Sequence, residues 1–268
     1  MFGAVLIANR GEIARRIIRA CRALGIRAIA VYSEADAKAA HVAEADEVVP
    51  IGAAPAKESY LDGTRIIQAA LVSGAEAIHP GYGFLSEDWR FAEACAAAGL
   101  TFVGPSADAI RRMGDKTEAR RLMTAAGVPV VPGSTEPVKD AAEAERVARE
   151  IGFPVILKAA HGGGGIGMAR VAEPGALAAA FATAERRAQA AFGRGAIYVE
   201  RYLEQPRHVE VQVFGDTHGT LVHLHERECS IQRRHQKLVE ESPAPNLSSA
   251  TKAGLTAAAV KGARAIDY

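Results

Sequence analysis

The sequence predicts an α/β fold: a parallel-sheet domain, then a small α+β module, then the beginning of an antiparallel sheet. Short apolar runs alternate with amphipathic helical segments up to about residue 112, which is typical of a parallel sheet with helices on both faces. Two further apolar runs flank a glycine-rich loop at residues 162–165. Residues 209–213 alternate strictly between apolar and polar side chains, which indicates a strand with one buried face.

Composition excludes several classes of protein. Apolar residues make up 49% of the 268 positions and charged residues 24%, which is typical of a globular protein. The 32 basic and 31 acidic residues leave no overall field for nucleic acid or an anionic membrane, so neither is expected as a partner. Cys21, Cys95 and Cys229 are too few and too far apart for a disulfide framework or a cysteine-based zinc site. The apolar start ends at Asn9, too early for a signal sequence or a membrane span, and a cytoplasmic location is expected.

The first domain is predicted over residues 1–112. Residues 4–8 form a strand, and residues 9–12 turn into a helix that ends at Gly25 and is followed by a strand at 27–32. That helix is expected to bury one face, made of Ile13, Ile17, Cys21 and Leu24. The same alternation continues with strands at 47–51, 77–78 and 101–103 and helices at 60–72 and 87–98.

Three further features of this region need a decision between a structural and a functional interpretation. Glu34 and Asp36 stand where the ribose-binding acid of a dinucleotide fold would be, but the first turn has only one glycine and a charged cap is the commoner role. The segment 79–87 is rich in turn formers and predicts a rigid loop in which Ser86 caps the next helix. A linker at 113–129 contains a helix up to residue 126, and Lys116 near its start is either solvated or held there to meet an anion.

The second domain is predicted over residues 130–204 and the third over 205–268. The second has a short strand from residue 128, a helix at 140–150, strands at 154–158 and 168–171, a helix at 174–192 and a strand at 196–200. The third begins with an antiparallel hairpin formed by residues 209–213 and 220–226 around a turn at 215–219. A helix begins at residue 249.

The glycine loop after Lys158 has the properties of a phosphate-binding loop. Glycine lets backbone N–H groups approach an anion closely, and Lys158 adds a positive charge where the strand stops. A Walker loop is excluded because the lysine precedes the glycines and no Gly-Lys-Ser/Thr follows. Gly162, Gly164 and Gly167 satisfy G-x-G-x-x-G, but the loop leads into a strand and not a helix, so the Rossmann interpretation fails. A flexible surface hairpin remains the alternative.

The segment 227–237 carries a dense run of basic side chains. Such a run is usually a solvated surface. In an extended chain, however, Arg233, His235 and Lys237 would share one face and form a row able to meet a polyphosphate or a carboxylate.

Five segments together resemble the biotin carboxylase family of ATP-grasp ligases: 8–14, 79–87, 113–116, 158–168 and 226–237. The likeness spans the whole chain in the family's order. It implies a pre-ATP-grasp (Rossmann-like) domain, then an ATP-grasp lid, then the truncated start of the ATP-grasp C-terminal domain.

The resemblance also implies the roles of particular residues. Lys116 and Lys158 match phosphate-contacting lysines, and Gly164 and Gly165 match the loop glycines over the phosphates. The hinge that binds adenine through backbone groups is matched by four residues, Glu200, Arg201, Tyr202 and Leu203. His208, Gln232 and His235 match further nucleotide contacts. Lys237 matches the catalytic lysine close to bicarbonate and the transferring phosphoryl group.

The reaction implied is ATP-dependent carboxylation of carrier-bound biotin by bicarbonate, through carboxyphosphate. It is the first half-reaction of an acyl-CoA carboxylase and belongs to fatty acid metabolism. It calls for positioned cations, backbone donors and exclusion of water more than for a nucleophile, so Cys229 is interpreted as structural. The implied partners are a biotin carboxyl carrier protein or domain, a carboxyltransferase subunit and a second copy of the chain.

Two departures from the family pattern qualify these expectations. Ile166 stands where the family usually has Arg or Lys, so one loop cation is missing. The family's magnesium-binding glutamates lie beyond Tyr268, and we therefore expect a fragment of a longer subunit that is inactive alone. Alternatives are the biotin carboxylase domain of a pyruvate or urea carboxylase, a carbamoyl-phosphate synthase-like ligase, and a nucleotide-binding or dimerisation module without catalysis.

Overall fold

The computed structural model describes residues 1–159, 168–193, 195–233 and 236–268; within these ranges the side chains of Lys116 and Phe192 are not described. The described residues divide into two compact units, Met1–Gly114 and Asp115–Tyr268. No helix in the described ranges is both long and apolar enough to cross a membrane.

The first unit is built on a five-stranded parallel sheet. Its strands are β1 (Ala4–Ile7), β2 (Arg27–Tyr32), β3 (Glu47–Pro50), β4 (Ala77–His79) and β5 (Thr101–Phe102). Its helices are α1 (Gly11–Ala23), α2 (Ala40–Glu44), α3 (Gly63–Val72), α4 (Trp89–Ala97) and α5 (Ala107–Gly114). The strand order is β3-β2-β1-β4-β5 and each described pairing is parallel, which confirms the predicted sheet.

Alternation along β1 explains why helices cover both faces of this sheet. Val5 and Ile7 pack in one core cluster with Ile17 and Ile18 of α1, whereas Leu6 packs in a second cluster with residues of α3 and α4. Successive strand residues point to opposite faces, so an uninterrupted apolar run needs cover on both sides.

Two details of the predicted helices in this unit are wrong. Leu24 is 59% exposed, because α1 ends at Ala23 and residue 24 is its C-cap, no longer in register with the buried stripe. Ser86 does not cap α4: the side chain of Asp88 accepts a hydrogen bond from the Arg90 N–H at 2.9 Å.

The second unit begins with α6 (Lys116–Ala125) and α7 (Ala141–Ile151). It continues with β6 (Val155–Ala159), β7 (Ala169–Val171), α8 (Leu177–Phe192) and β8 (Ile197–Arg201). These strands form an antiparallel sheet in the order β7-β6-β8. Its core contains Val155, Leu157 and Val199 packed with apolar side chains of α7 and α8.

The strand predicted from residue 128 is absent from the described structure. Gly133 and Val138 instead form isolated bridges to Glu200 and Ile197 of β8. Pro129 and Pro132 lack the N–H that a regular ladder requires, which explains why the pairing is reduced to single bridges.

The last part of the second unit is an antiparallel sheet in the order β11-β10-β9, followed by helix α9 (Ser249–Arg264). Its strands are β9 (Val209–Gly215), β10 (Leu221–Arg233) and β11 (Gln236–Glu241). The predicted hairpin is confirmed, but β10 is much longer than expected. Helix α9 contacts β9 and β10, while Phe214, Val222 and Leu224 remain exposed.

Candidate functional site

The strand pairing of β10 with β11 corrects the predicted row of cations. Arg233 lies opposite Gln236, and Gln232 lies opposite Lys237, so the described residues of this segment belong to two antiparallel strands and not to one extended strand. Directly opposed residues share a face and successive residues alternate. Arg233 and Lys237 therefore lie on opposite faces, so the prediction that they share one face is wrong. The third member of the predicted row, His235, lies outside the described residues.

Two of the predicted site residues, His208 and Lys237, instead contact a carboxylate that the sequence did not single out, Glu210. The Lys237 ammonium pairs with Glu210 Oε1, and His208 Nε2 lies 3.0 Å from the same oxygen. The other oxygen, Oε2, accepts a 2.6 Å hydrogen bond from the Arg227 guanidinium. We call Glu210, His208, Arg227, Gln232 and Lys237 the β9–β11 cluster.

Gln232 determines how His208 presents its ring in this cluster. Gln232 Nε2 lies 2.6 Å from His208 Nδ1 and also donates to the Cys229 carbonyl at 2.8 Å. An amide N–H donated to Nδ1 leaves the proton of a neutral imidazole on Nε2. His208 can then donate that proton to Glu210 without becoming charged.

Neighbouring cations keep the Glu210 carboxyl group ionised. Partial burial works to raise the pKa of this carboxyl group, but hydrogen bonds from Lys237 and Arg227 outweigh it and hold the pKa below its usual range. Arg227 also lies 2.9 Å from Glu240, so it joins two carboxylates on β9 and β11. Glu210 is thus ionised at neutral pH, and the cluster spans all three strands.

A second group lies on the β6–β8 sheet. The ammonium of Lys158 pairs with Glu200 Oε2, and Arg120 of α6 lies 3.6 Å from Glu200 Oε1. Lys158 and Glu200 were both predicted as nucleotide contacts; Arg120 was not. One carboxylate therefore stands between two cations, with one oxygen facing each.

Backbone hydrogen bonds fix the predicted hinge at its start and leave its end open. The Arg201 N–H donates to the Pro132 carbonyl at 2.8 Å, and the Tyr202 N–H donates to the Pro154 carbonyl at 2.9 Å. Among the described residues, no acceptor is found for the Leu203 N–H. A free backbone donor directly after a strand suits recognition of a heterocyclic base.

The remaining predicted site residues cannot be placed. Gly164, Gly165 and His235 lie outside the described residues, as does the side chain of Lys116. Within the described part, no group of three or more His, Cys, Asp or Glu side chains fits a metal ion. A magnesium site is therefore not assigned to these residues.

The Asn9 side chain ties together two of the sequence segments in the first unit. Its Nδ2 donates to the carbonyls of Pro80 and Tyr82 at 2.8 and 2.7 Å. Gly81 between them has φ +66°, and a Cβ there would lie 2.9 Å from Asn9 Nδ2. This loop thus requires glycine for both conformation and space. Tyr82 also contacts Glu12 through its hydroxyl group.

Comparison with known proteins gives consistent matches over both units. Residues 1–110 match the family model of the biotin carboxylase N-terminal domain, and residues 115–268 match that of the carbamoyl-phosphate synthase L chain ATP-binding domain. The biotin carboxylase of Halalkalibacterium halodurans is 54% identical over 268 residues, which are 100% of this chain and 59% of that protein. The mitochondrial methylcrotonoyl-CoA carboxylase subunit alpha of Glycine max is 54% identical over 98% of this chain and 36% of that protein.

Solved structures of biotin carboxylases are also similar to this chain over its full length. A biotin carboxylase–βγ-ATP complex from Campylobacter jejuni has a TM-score of 0.91 and 50% identity, covering 100% of this chain and 60% of that one. The biotin carboxylase domain dimer of Hydrogenobacter thermophilus 2-oxoglutarate carboxylase, with MgADP, ADP and bicarbonate, has a TM-score of 0.89 and 49% identity, covering 100% and 59%. This chain spans about 60% or less of the length of these proteins.

A parallel-sheet domain followed in the chain by an α+β module and an antiparallel sheet, with matches of this strength throughout, defines an ATP-grasp protein. Its architecture confirms the predicted fold class. Within that class, the chain belongs to the biotin carboxylase family.

Proposed function

We propose that this chain forms the nucleotide-binding part of an ATP-dependent biotin carboxylase. The observation that carries the proposal is the β9–β11 cluster, where His208 and Lys237 both contact Glu210 and Gln232 contacts the His208 ring. Solved relatives of similar fold are complexes with a nucleotide and with bicarbonate. Cations held at fixed points are what phosphoryl transfer needs, because charge spreads over the phosphoryl oxygens in the transition state.

In the proposed reaction, a bicarbonate oxygen attacks the γ-phosphorus of ATP, and the bond to ADP breaks to give carboxyphosphate. The carboxyl group then passes to a ureido nitrogen of biotin as its bond to phosphate breaks, and the leaving phosphate takes up the proton of the ureido N–H. Lys237 supplies a positive charge for the bicarbonate and phosphoryl oxygens, while Lys158 contacts the phosphate chain. The backbone of Glu200 to Leu203 receives the adenine ring, and Leu203 offers its N–H. Bound magnesium would offset phosphate charge, but none of the described residues is assigned to it.

The acceptor and the partners form the finer part of the proposal. We assign the reaction to the first half-reaction of an acyl-CoA carboxylase, which is the role expected from the sequence. Relatives of nearly equal similarity are named as methylcrotonoyl-CoA and 2-oxoglutarate carboxylases, so the acceptor could also be a free oxo acid. A biotin carrier domain, a carboxyltransferase subunit and a second copy of the chain are the proposed partners; one relative is a dimer.

Isothermal titration of the chain with ADP and ATP tests the proposal. The wild-type chain is expected to bind both, and Lys158→Met is expected to weaken binding about tenfold or more, the loss of one charge-assisted contact to phosphate. Glu150→Gln is the control, because among the described residues the Glu150 side chain pairs only with Arg146 on α7, and both side chains are exposed. Absence of nucleotide binding to the wild-type chain would refute the proposal. In an enzyme that contains this chain, Lys237→Ala is expected to abolish bicarbonate-dependent ATP cleavage.

A further inference from the structure

Glu200 lies beside the Lys158 ammonium and Arg120 lies beside Glu200. Neither side chain has a role in the function proposed above, which uses only the backbone of Glu200. Side chains alternate along β6 and β8. Val155 and Leu157 of β6 and Val199 of β8 point into the core between this sheet and helices α7 and α8. Lys158 and Glu200 therefore project from the opposite face.

The pairing register brings these two side chains together. Ile156 lies opposite Glu200 and Lys158 lies opposite Tyr198, so Lys158 and Glu200 are diagonal neighbours on adjacent strands. Diagonal neighbours on one face are within reach of long side chains. The observed contact between the Lys158 ammonium and Glu200 Oε2 follows directly.

Helix α6 contacts this same face. Thr117 pairs with the Tyr198 hydroxyl group and Arg120 faces Glu200, so residues three apart on the helix meet residues two apart on the strand. One turn of helix and two strand residues advance by similar lengths, about 5 and 7 Å. Arg120 is further fixed by a hydrogen bond from its guanidinium to the Val131 carbonyl.

Burial makes this arrangement more than a surface ion pair. The side chains of Arg120 and Glu200 are 16% and 21% exposed, whereas that of Lys158 is 38% exposed. Solvent and salt screen the inner pair less than the outer one. The carboxylate is thus anchored from the helix side by a rigid guanidinium, and it presents its second oxygen to the more mobile lysine.

We propose that Glu200, backed by Arg120, is a positioning residue that holds the Lys158 ammonium ready for the phosphates of the nucleotide. The inference rests on the proposed function. Lysine loses considerable rotamer freedom when it is fixed, and a side chain already held by a carboxylate loses less on binding. Without the carboxylate, Lys158 and Arg120 become two uncompensated neighbouring cations, and the exposed lysine turns away into solvent.

The test compares ADP with adenosine, which lacks phosphates, by titration of the 268-residue chain. Glu200→Gln keeps the hinge backbone and is expected to weaken ADP binding about tenfold while leaving adenosine binding unchanged. Because Glu200 acts through Lys158, adding Glu200→Gln to Lys158→Met is expected to cause no further loss. Glu200→Asp, which keeps the charge on a shorter stem, is expected to restore part of the affinity.

Three results would overturn the inference while the proposed function stood: unchanged ADP affinity in Glu200→Gln, tighter ADP binding, or equal losses for ADP and adenosine. Tighter binding would mean that Glu200 competes with phosphate for Lys158. If the wild-type chain bound no ADP, both proposals would fail together. Should Glu200→Gln not fold, Arg120→Met decides the matter, because it removes the support of the carboxylate outside the hinge; a phosphate-specific loss is expected and its absence contradicts the proposal.

Discussion

Glu210 was not singled out in the sequence, yet it pairs with His208, Arg227 and Lys237. It lies 17 positions from Arg227 and 27 from Lys237, and contacts both. Sequence alternation placed Glu210 on the polar face of a strand, but only the register of three strands brings its partners to it. The resemblance named His208, Gln232 and Lys237 as candidate site residues, but it could not name the carboxylate that joins His208 and Lys237.

Removing the charge of Glu210 is expected to destabilise the second unit. Glu210→Gln leaves Arg227 and Lys237 facing each other without their common partner, and should lower the free energy of unfolding by about 1–3 kcal/mol. Urea unfolding followed by circular dichroism, at low salt and at 1 M salt, measures this. The loss should shrink at high salt, since the repulsion is screened. An equally small effect for Glu210→Gln and the surface control Glu150→Gln would contradict the prediction.

Two histidines of the first unit are expected to make its stability fall at acidic pH. His41 is fully buried and His79 is partly buried, and burial lowers the pKa of both below the ordinary 6.5. The unfolded chain therefore takes up these protons first as the pH falls. Their contribution to stability is complete above pH 6.5 and is lost as the pH falls from 6.5 through the lowered pKa values, by at most about 1.4 kcal/mol per pH unit for each group.

The expected loss of stability can be checked by urea unfolding followed by tryptophan fluorescence at several pH values between 7.5 and 5.5. The wild-type midpoint is expected to fall over that interval. In His41→Gln the overall stability is lower, but its slope against pH should be shallower than that of the wild type. An identical slope in the two proteins would show that His41 does not titrate in the expected direction.

At the scale of elements, periodicity identified most of the helices and strands but not α2, α5 or β11, and it was a poor guide to where the elements end. The buried stripe of α1 was predicted correctly at Ile17 and Cys21, but Leu24 lies past the last helical turn. Helix caps depend on which of several nearby polar side chains reaches a free N–H, and that is a matter of local geometry. Ser86 and Asp88 were both available, and Asp88 is used.

The cap of α4 can be tested directly. Asp88→Ala removes the acceptor for the Arg90 N–H and is expected to cost about 1 kcal/mol of unfolding free energy, as for other N-caps. Ser86→Ala is the matched control and should change stability by less than about 0.5 kcal/mol. Thermal or urea unfolding of the two variants side by side gives the answer; a larger loss for Ser86→Ala would reverse the assignment.

Gly81 and Gly83 lie in the same loop, but the two positions differ in whether glycine is needed for space as well as for backbone conformation. Their φ angles are +66° and +67°, so alanine is strained at both positions. At Gly81 a Cβ would also lie 2.9 Å from Asn9 Nδ2 and 3.0 Å from Ile13 Cγ1, whereas nothing lies within 4 Å at Gly83. Gly81→Ala is expected to lose about 1–3 kcal/mol more than Gly83→Ala, by overpacking. Equal losses in urea unfolding would mean that the loop relaxes freely around the added carbon.

At the scale of the whole molecule, the two units have separate cores, and Trp89 is the only tryptophan of the chain. Its fluorescence reports the first unit, while circular dichroism reports both. Under the proposed function, ADP at 100 times its dissociation constant should stabilise the second unit by about 2.7 kcal/mol. The circular dichroism transition should then shift to higher urea and the Trp89 transition should not. Equal shifts in both signals would show that the units unfold as one.

The fold class could be predicted because it depends on patterns that repeat over many residues. The resemblance covered the whole chain, and the family comparisons confirm it. The layout of the site could not be predicted in the same way. Reading residues 227–237 as one extended strand placed Arg233 and Lys237 on one face, and the pairing of two antiparallel strands in that segment separates them.

The ribosome makes β1 first, yet the sheet places it third of five, between β2 and β4. A growing polypeptide that has emerged only as far as Tyr32 can pair β1 on one side, and the other side stays open until His79 has been synthesised. An apolar strand with an open edge is prone to pair with other chains. During synthesis, β1 therefore keeps one open edge from the time Tyr32 is made until His79 is made.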